Sequence, residues 1–171
     1  MDHLQVIQSK ICDKEEALRV INGWRIKGDK IVFTNGCFDI LHTGHVTYLA
    51  KTADQGNRLI LGLNTDASVK RQGKGEERPI NKQDSRAVVM ASLHVVDLVV
   101  FFDGDTPLDL INYLQPDVLA KGADYDPECT DETDKRYIVG SKEVLSYGGK
   151  IVAIPLVEGF STTNIINTLK G

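Results

Sequence analysis

Long apolar runs, paired cysteines and an excess of positive charge are all missing from this chain of 171 residues. No stretch stays apolar for long enough to span a bilayer, so no membrane role is expected. The three cysteines, Cys12, Cys37 and Cys129, are odd in number and far apart, and no Cys-x-x-Cys pair occurs. Neither a disulfide framework nor a zinc knuckle is indicated. The first residues, Met1-Asp2-His3-Leu4-Gln5, lack the basic and apolar blocks of a signal peptide. A reduced, cytoplasmic home is the simplest expectation. Net charge is −4, which argues against a general nucleic-acid surface. Internal repeats, low-complexity tracts and obvious linkers are also absent.

What is present suits one ordinary domain. Hydrophobic content is 42%, enough for a real core. Apolar, β-branched runs at Ile31–Thr34, Arg58–Leu63, Val95–Phe102, Val118–Ala120 and Lys150–Pro155 read as strands. Helical patterns lie near Lys14–Lys27, Gly44–Ala53, Asp66–Gln72, Lys82–His94, Pro107–Tyr113, Ser141–Ser146 and Thr162–Leu169. The alternation predicts an α/β fold: a Rossmann-like, five-stranded parallel sheet with helices on both faces. Residues 1–29 form a leading helical segment and residues 30–171 the main domain. In such sheets ligands gather at the carboxyl ends of the strands. The weakest order is expected at Arg71–Glu77 and in the acidic stretch Asp126–Lys135, which reads as a solvated loop rather than a metal site.

The most informative stretch follows the first strand: Asn35-Gly36-Cys37-Phe38-Asp39-Ile40-Leu41-His42-Thr43-Gly44-His45. It reads as strand, small-residue turn, then the first turn of a helix. A helix N-terminus offers unpaired N–H groups and partial positive charge to an anion. Gly44 lets a ligand approach the backbone closely. His42 and His45, three apart, share one side of the turn and add donors that can follow charge on phosphate oxygens. A bare His-x-x-His pair is ordinary surface, or half a metal site. The strand and the Gly36 turn before it supply the context of a phosphate loop, suited to a nucleoside triphosphate.

Three further places can carry chemistry. Lys74 lies between Gly73 and Gly75, in a basic loop able to close over polyphosphate, ahead of Arg78-Pro79 and the helical Arg86. Lys121-Gly122-Ala123-Asp124-Tyr125 leaves the fourth strand. There Asp124 can accept from ribose hydroxyls or a base, and Tyr125 can pack on a ring. Ser161-Thr162-Thr163 stands at the start of the last helix, where one hydroxyl caps and several together suit a triphosphate.

These motifs, in this order, resemble the nucleotidyltransferase superfamily with the His-x-Gly-His signature, and within it the cytidylyltransferase-like family. The branch they resemble is the adenylyltransferase domain that makes ADP-heptose. The likeness runs through Ile31–His45, Lys74-Gly75 with Arg78-Pro79, Lys121–Tyr125, Gly140–Val144 and Gly159–Ile166. It implies transfer of AMP from ATP to a sugar 1-phosphate, D-glycero-β-D-manno-heptose 1-phosphate, giving ADP-heptose and pyrophosphate. It implies catalytic roles for His42, His45 and Lys74. It implies nucleotide contacts from Asn35, Gly36, Cys37, Phe38, Gly44, Lys121, Gly122, Asp124, Tyr125, Ser161, Thr162 and Thr163. Asp39, Arg78 and Arg86 are implied on the acceptor side. Mg²⁺ is implied with the ATP, with few dedicated protein ligands and Asp39 a weaker candidate. The partners are then ATP and the sugar phosphate, with neither nucleic acid nor membrane; a homo-oligomer, as a dimer, is left open. In many bacteria the domain is fused to a sugar kinase, and this chain resembles a stand-alone version. Two departures stand out. Glycerol-phosphate cytidylyltransferases, the alternative class, use CTP and carry an Arg-Thr-x-Gly string where this chain has Leu156-Val157-Glu158-Gly159. The stretch Glu128–Arg136 is longer than its counterpart in the heptose enzymes.

Overall fold

The computed structural model describes residues 2–73, 75, 77–162, 165–166 and 168. Helix α1 (His3–Gln8) opens on a reciprocal cap: the Asp2 carboxylate accepts from Gln5 N, and the Gln5 side chain accepts from Asp2 N. Strand β1 (Ile11–Cys12) and helix α2 (Lys14–Ile26) follow. Asp13 caps α2 through Glu16 N, with Glu15 and Glu16 in the first turn, where negative charge is favoured. Ala17 and Ile21, four apart, are the buried face of α2.

The rest is a regular alternation. It runs β2 (Ile31–Gly36), α3 (Thr43–Ala53), β3 (Arg58–Asn64), α4 (Asp66–Arg71), α5 (Gln83–Ala91), β4 (Leu98–Phe102), α6 (Leu108–Leu114), β5 (Val118–Gly122), α7 (Ser141–Ser146) and β6 (Lys150–Ile154). The sheet is parallel throughout, in the order β1-β4-β3-β2-β5-β6. From β2 the chain winds outward through β3 and β4, then crosses to β5 and β6 on the other side. The switch in winding therefore falls between β2 and β5, which is where open α/β sheets bind ligands.

The sheet has six strands, not the five expected from sequence. The extra one, β1, is two residues long and carries no alternation to read. Backbone and side-chain bonds from Lys10 hold it at the edge: Val99 N donates to Lys10 O at 2.8 Å, and Lys10 Nζ donates to Val96 O at 2.7 Å. The leading segment thus completes the sheet. The strand expected from Val95 begins only at Leu98. Asp97 is turned to other work, accepting from Leu59 N at 2.8 Å and pairing with Arg58.

Both faces of the sheet are covered. Ile31, Phe33, Ile60, Val100 and Leu119 pack with Ile21 of α2, Ile111 of α6 and Val144 of α7. Val32, Leu59, Leu61, Val99 and Ala120 pack with Tyr48 and Leu49 of α3 and with Ala87 and Met90 of α5. Odd and even positions of β2 thus serve opposite faces, as the pleat requires. The acidic stretch after β5 is a run of turns in which carboxylates accept from backbone N–H two residues on: Asp126 from Glu128, Asp131 from Thr133, Asp134 from Arg136.

Candidate nucleotide-binding site

A cavity of about 810 Å³ lies over the carboxyl ends of the strands at the winding switch. That is at the upper end of the usual range for a small-molecule site. Its lining includes Asn35, Gly36, Cys37, Phe38, His42, Gly44 and His45 from the turn after β2. Lys121, Gly122, Asp124 and Tyr125 enter from β5, and Ser161 and Thr162 from the segment after β6. The three motifs that are far apart in sequence thus meet. Lys74 and Thr163 lie outside the described residues.

His42 is the N-cap of α3, in extended backbone, and its Nδ1 accepts from His45 N at 3.4 Å. An acceptor Nδ1 carries no proton, so in the neutral ring the proton sits on Nε2, leaving it as a donor. The two imidazoles stack with centroids 3.8 Å apart and planes 19° from parallel. Phe38 meets His45 edge-on at 5.2 Å. Burial lowers the pKa of both rings, and that of His45 falls to about 4. After burial, the depressing causes for His45 are His42 and then Arg78, while the Ile40 carbonyl favours a protonated ring. His45 Nδ1 is buried without a hydrogen-bond partner. Both rings are therefore neutral at neutral pH, and a nearby anion would raise both pKa values.

Gly44, which lines the cavity, also makes room for a close approach within the chain itself. A Cβ there would lie 2.9 Å from Phe160 Cβ and 3.0 Å from the His42 ring. The room is used to bring the Phe160 segment against the histidine turn, so the ring of Phe160 lies 6.3 Å from that of His42. This places Ser161 and Thr162 beside α3. Ile165 N donates to Ser161 O at 3.2 Å, as the first bond of a helix capped by Ser161 would. The expected helix over Thr162–Leu169 lies partly outside the described residues.

Asp39, Arg78 and Arg86 are not brought into the lining. They form a buried bracket behind it. Asp39 Oδ2 accepts from Ile80 N at 2.9 Å and Oδ1 from Asn81 N at 2.8 Å, and the carboxylate pairs with Arg78 Nε at 2.8 Å. Asn81 Nδ2 returns a bond to Asp39 O at 2.6 Å. Arg86, 1% exposed, donates to Asn81 O at 3.0 Å, Cys37 O at 2.7 Å and Asp66 Oδ1 at 2.8 Å. Three donors of one rigid fork thus tie the histidine turn to α4 and to the segment before α5.

Sequence reasoning missed several lining residues: Tyr48, Asn64, Gln72, Asp105, Thr106, Pro107, Tyr137, Val139, Leu156, Val157 and Phe160. Asp105 to Pro107 follow β4 directly, so the rule about carboxyl ends could have found them. Tyr137 arrives from the acidic stretch, and nothing local marks it.

Comparison with known proteins supplies the class. The model of the cytidylyltransferase-like family matches residues 33–168, and the chain belongs to that family. This is the family the motifs resemble. The chain is 56% identical over 157 residues to the bifunctional protein HldE of Caulobacter vibrioides, which covers 92% of this chain and 31% of that protein. It is 50% identical over 160 residues to the HldE of Methylobacillus flagellatus, covering 94% of this chain and 31% of that protein. The chain thus spans about a third of the length of the curated relatives it matches. A lipopolysaccharide core biosynthesis protein from Thermoplasma volcanium shares the fold, with a TM-score of 0.58 and 23% identity over 76% of this chain and 98% of that one. So does a pantoate-beta-alanine ligase from Francisella tularensis, with a TM-score of 0.57 and 16% identity over 94% of this chain and 76% of that one.

Proposed function

We propose that the chain transfers AMP from ATP to D-glycero-β-D-manno-heptose 1-phosphate, releasing pyrophosphate and forming ADP-heptose. The observation that carries this is the stacked, neutral His42–His45 pair lining one cavity with Ser161 and Thr162 at the winding switch. The HldE relatives, at 50–56% identity, support the heptose branch.

The reaction needs no covalent enzyme intermediate: an oxygen of the sugar phosphate attacks the α-phosphorus in line with the departing pyrophosphate. Catalysis is then positioning and charge stabilisation. His42 and His45 donate to phosphate oxygens as charge grows on them. Ser161, Thr162 and Thr163 hold the β- and γ-phosphates, with Lys74 neutralising charge from the basic loop. Gly122 and Asp124 take the ribose. Among the described residues no three His, Cys, Asp or Glu side chains converge as a cation cage. Mg²⁺ would then be held mainly by the triphosphate beside Ser161 and Thr162, and would supply charge neutralisation for the phosphates. Among the described residues no helix is long and apolar enough to cross a membrane.

The deciding experiment crosses ATP and CTP with heptose 1-phosphate and glycerol 3-phosphate, scoring products by mass. Leu156 and Val157 line the cavity where glycerol enzymes carry Arg-Thr, so nothing at that stretch favours CTP. ATP with heptose 1-phosphate is expected to lead by at least about tenfold in kcat/KM, or roughly 1.4 kcal/mol. Preference for CTP, or for glycerol phosphate, would move the protein to the other class.

A further inference from the structure

The cavity is wider than the histidine wall. It crosses the strand ends and continues on the opposite face of the sheet, above α6. The alternation along β2 shows this. Thr34 points to the α3 side, where its hydroxyl meets Tyr48 OH at 2.7 Å. Phe33 packs on the α2 and α6 side, and Asn35 shares that side. Gly62, the partner of Asn35 in register, leaves the room: a Cβ there would lie 2.7 Å from the Phe33 ring and 3.2 Å from Asn35 Cβ.

Asn35 is the informative residue. The residue lines the cavity, and its Oδ1 is buried without a hydrogen-bond partner. A buried acceptor left unpaired costs free energy and calls for a donor that the folded chain does not supply. Thr106 and Tyr137 line the same cavity. Lys121 shares the face of Leu119 by the same alternation along β5, and its Nζ lies 5.3 Å from the Tyr125 ring. This half of the cavity offers neutral hydrogen-bonding groups with a cation at its edge. That chemistry suits a polyhydroxylated ring carrying a phosphate.

Geometry of the reaction points the same way. If pyrophosphate leaves along the wall of His42, His45 and Ser161, the attacking oxygen must come from the other side of the α-phosphorus. The opposite side is the region above α6. Resting on the functional reading above, we propose that the acceptor sugar binds on the α6 side of the sheet, with Asn35 Oδ1 accepting from one of its hydroxyls and Lys121 drawing in its phosphate. Asn35 is then a specificity residue for the acceptor and not a nucleotide contact.

The test compares wild type with Asn35→Ala, using ATP, heptose 1-phosphate and its monodeoxy analogues. The variant should raise KM for the sugar phosphate at least about tenfold, with the Kd for ATP, by calorimetry, within about twofold of wild type. One deoxy analogue should lose at least about tenfold in kcat/KM with wild type and almost nothing further with the variant. A residue that merely supported the fold would not single out one hydroxyl. Should Asn35→Ala fail to fold, Asn35→Leu keeps the branched shape without polar atoms, and the same ratios apply. An unchanged acceptor KM, or ATP affinity lost in step with it, would overturn the inference while wild-type turnover left the functional reading standing. Wild type inactive with every sugar 1-phosphate would sink both.

Discussion

Arg86 is the most discriminating residue to perturb, because its two possible roles give opposite readouts. A substrate contact would act on KM and leave the fold alone. A buried tie would act on stability and on the placement of the histidine turn. Its guanidinium satisfies the carbonyls of Asn81 and Cys37 and pairs with Asp66, whose side chain is 30% exposed. Arg86→Met keeps the length of the stem and removes the fork. Two carbonyls lose their donor, at about 1 kcal/mol each at the low end for buried groups. Breaking a buried ion pair costs about 3–5 kcal/mol, but Asp66 can rehydrate, so the lower figure or less applies. A net loss of about 3–4 kcal/mol is expected. Total stability for a domain of this kind is about 5–15 kcal/mol, so the variant should still fold. With a urea slope of about 2 kcal/mol/M, the unfolding midpoint should fall by roughly 1.5–2 M.

The kinetic readout follows from the Cys37 carbonyl. That group belongs to the turn that delivers His42 and His45, so loosening it should lower kcat more than it raises KM for ATP. Arg86→Lys should recover only part of both effects, because one ammonium cannot reach three acceptors set out for a planar fork. A urea midpoint within about 0.3 M of wild type, together with a raised KM for the sugar phosphate, would refute the buried-tie reasoning and return Arg86 to the substrate.

Two further outcomes are expected. His42→Ala and His45→Ala should each lower kcat by about 3 kcal/mol, near a hundredfold, with ATP affinity changed far less; steady-state kinetics on well-folded protein checks this. Stability should fall with acid through His45: its pKa drops from 6.5 to about 4 on folding, so between those values the unfolded chain binds more protons, and stability is lost as pH falls through that window. Thermal melts at pH 7 and pH 4.5 should show that loss in wild type and a smaller one in His45→Gln; equal losses would place the acid sensitivity elsewhere.

What the sequence displayed and what it concealed divide along physical lines. The histidine turn, the Lys121-Gly122 exit and the Ser161-Thr162 start were legible because each is local: a strand, a small residue and a polar group within a few positions. The five longer strands, β2 to β6, were legible for the same reason, as apolar runs, with β2, β3 and β4 buried along most of their length. β1 was not, since its place depends on Lys10 reaching the turn before β4 and on nothing in Ile11 and Cys12 themselves. The buried role of Arg86 was not legible, because helical periodicity says which face is apolar, not which arginine finds acceptors 49 residues away. Tyr137 reached the cavity by long-range packing alone.

The bracket also explains a tension within the site. A pocket proposed for a triphosphate gains from positive charge, yet the His42 and His45 rings are neutral and Arg78 and Arg86 are buried out of the lining. Asp39 and Asp66 occupy those guanidinium groups, so the cations hold backbone in place and do not compete for phosphate. Arg78 still acts at a distance, as one of the smaller causes that keep the His45 pKa low. An imidazole held neutral by burial, its stacked neighbour and a nearby cation has the most to gain from an arriving anion. Phosphate charge would offset each of those causes in turn, so donor strength rises when charge is present to be stabilised. The buried arginines thus serve the chemistry through the shape and charge state of the histidine turn. That is why they belong to the site without touching the cavity.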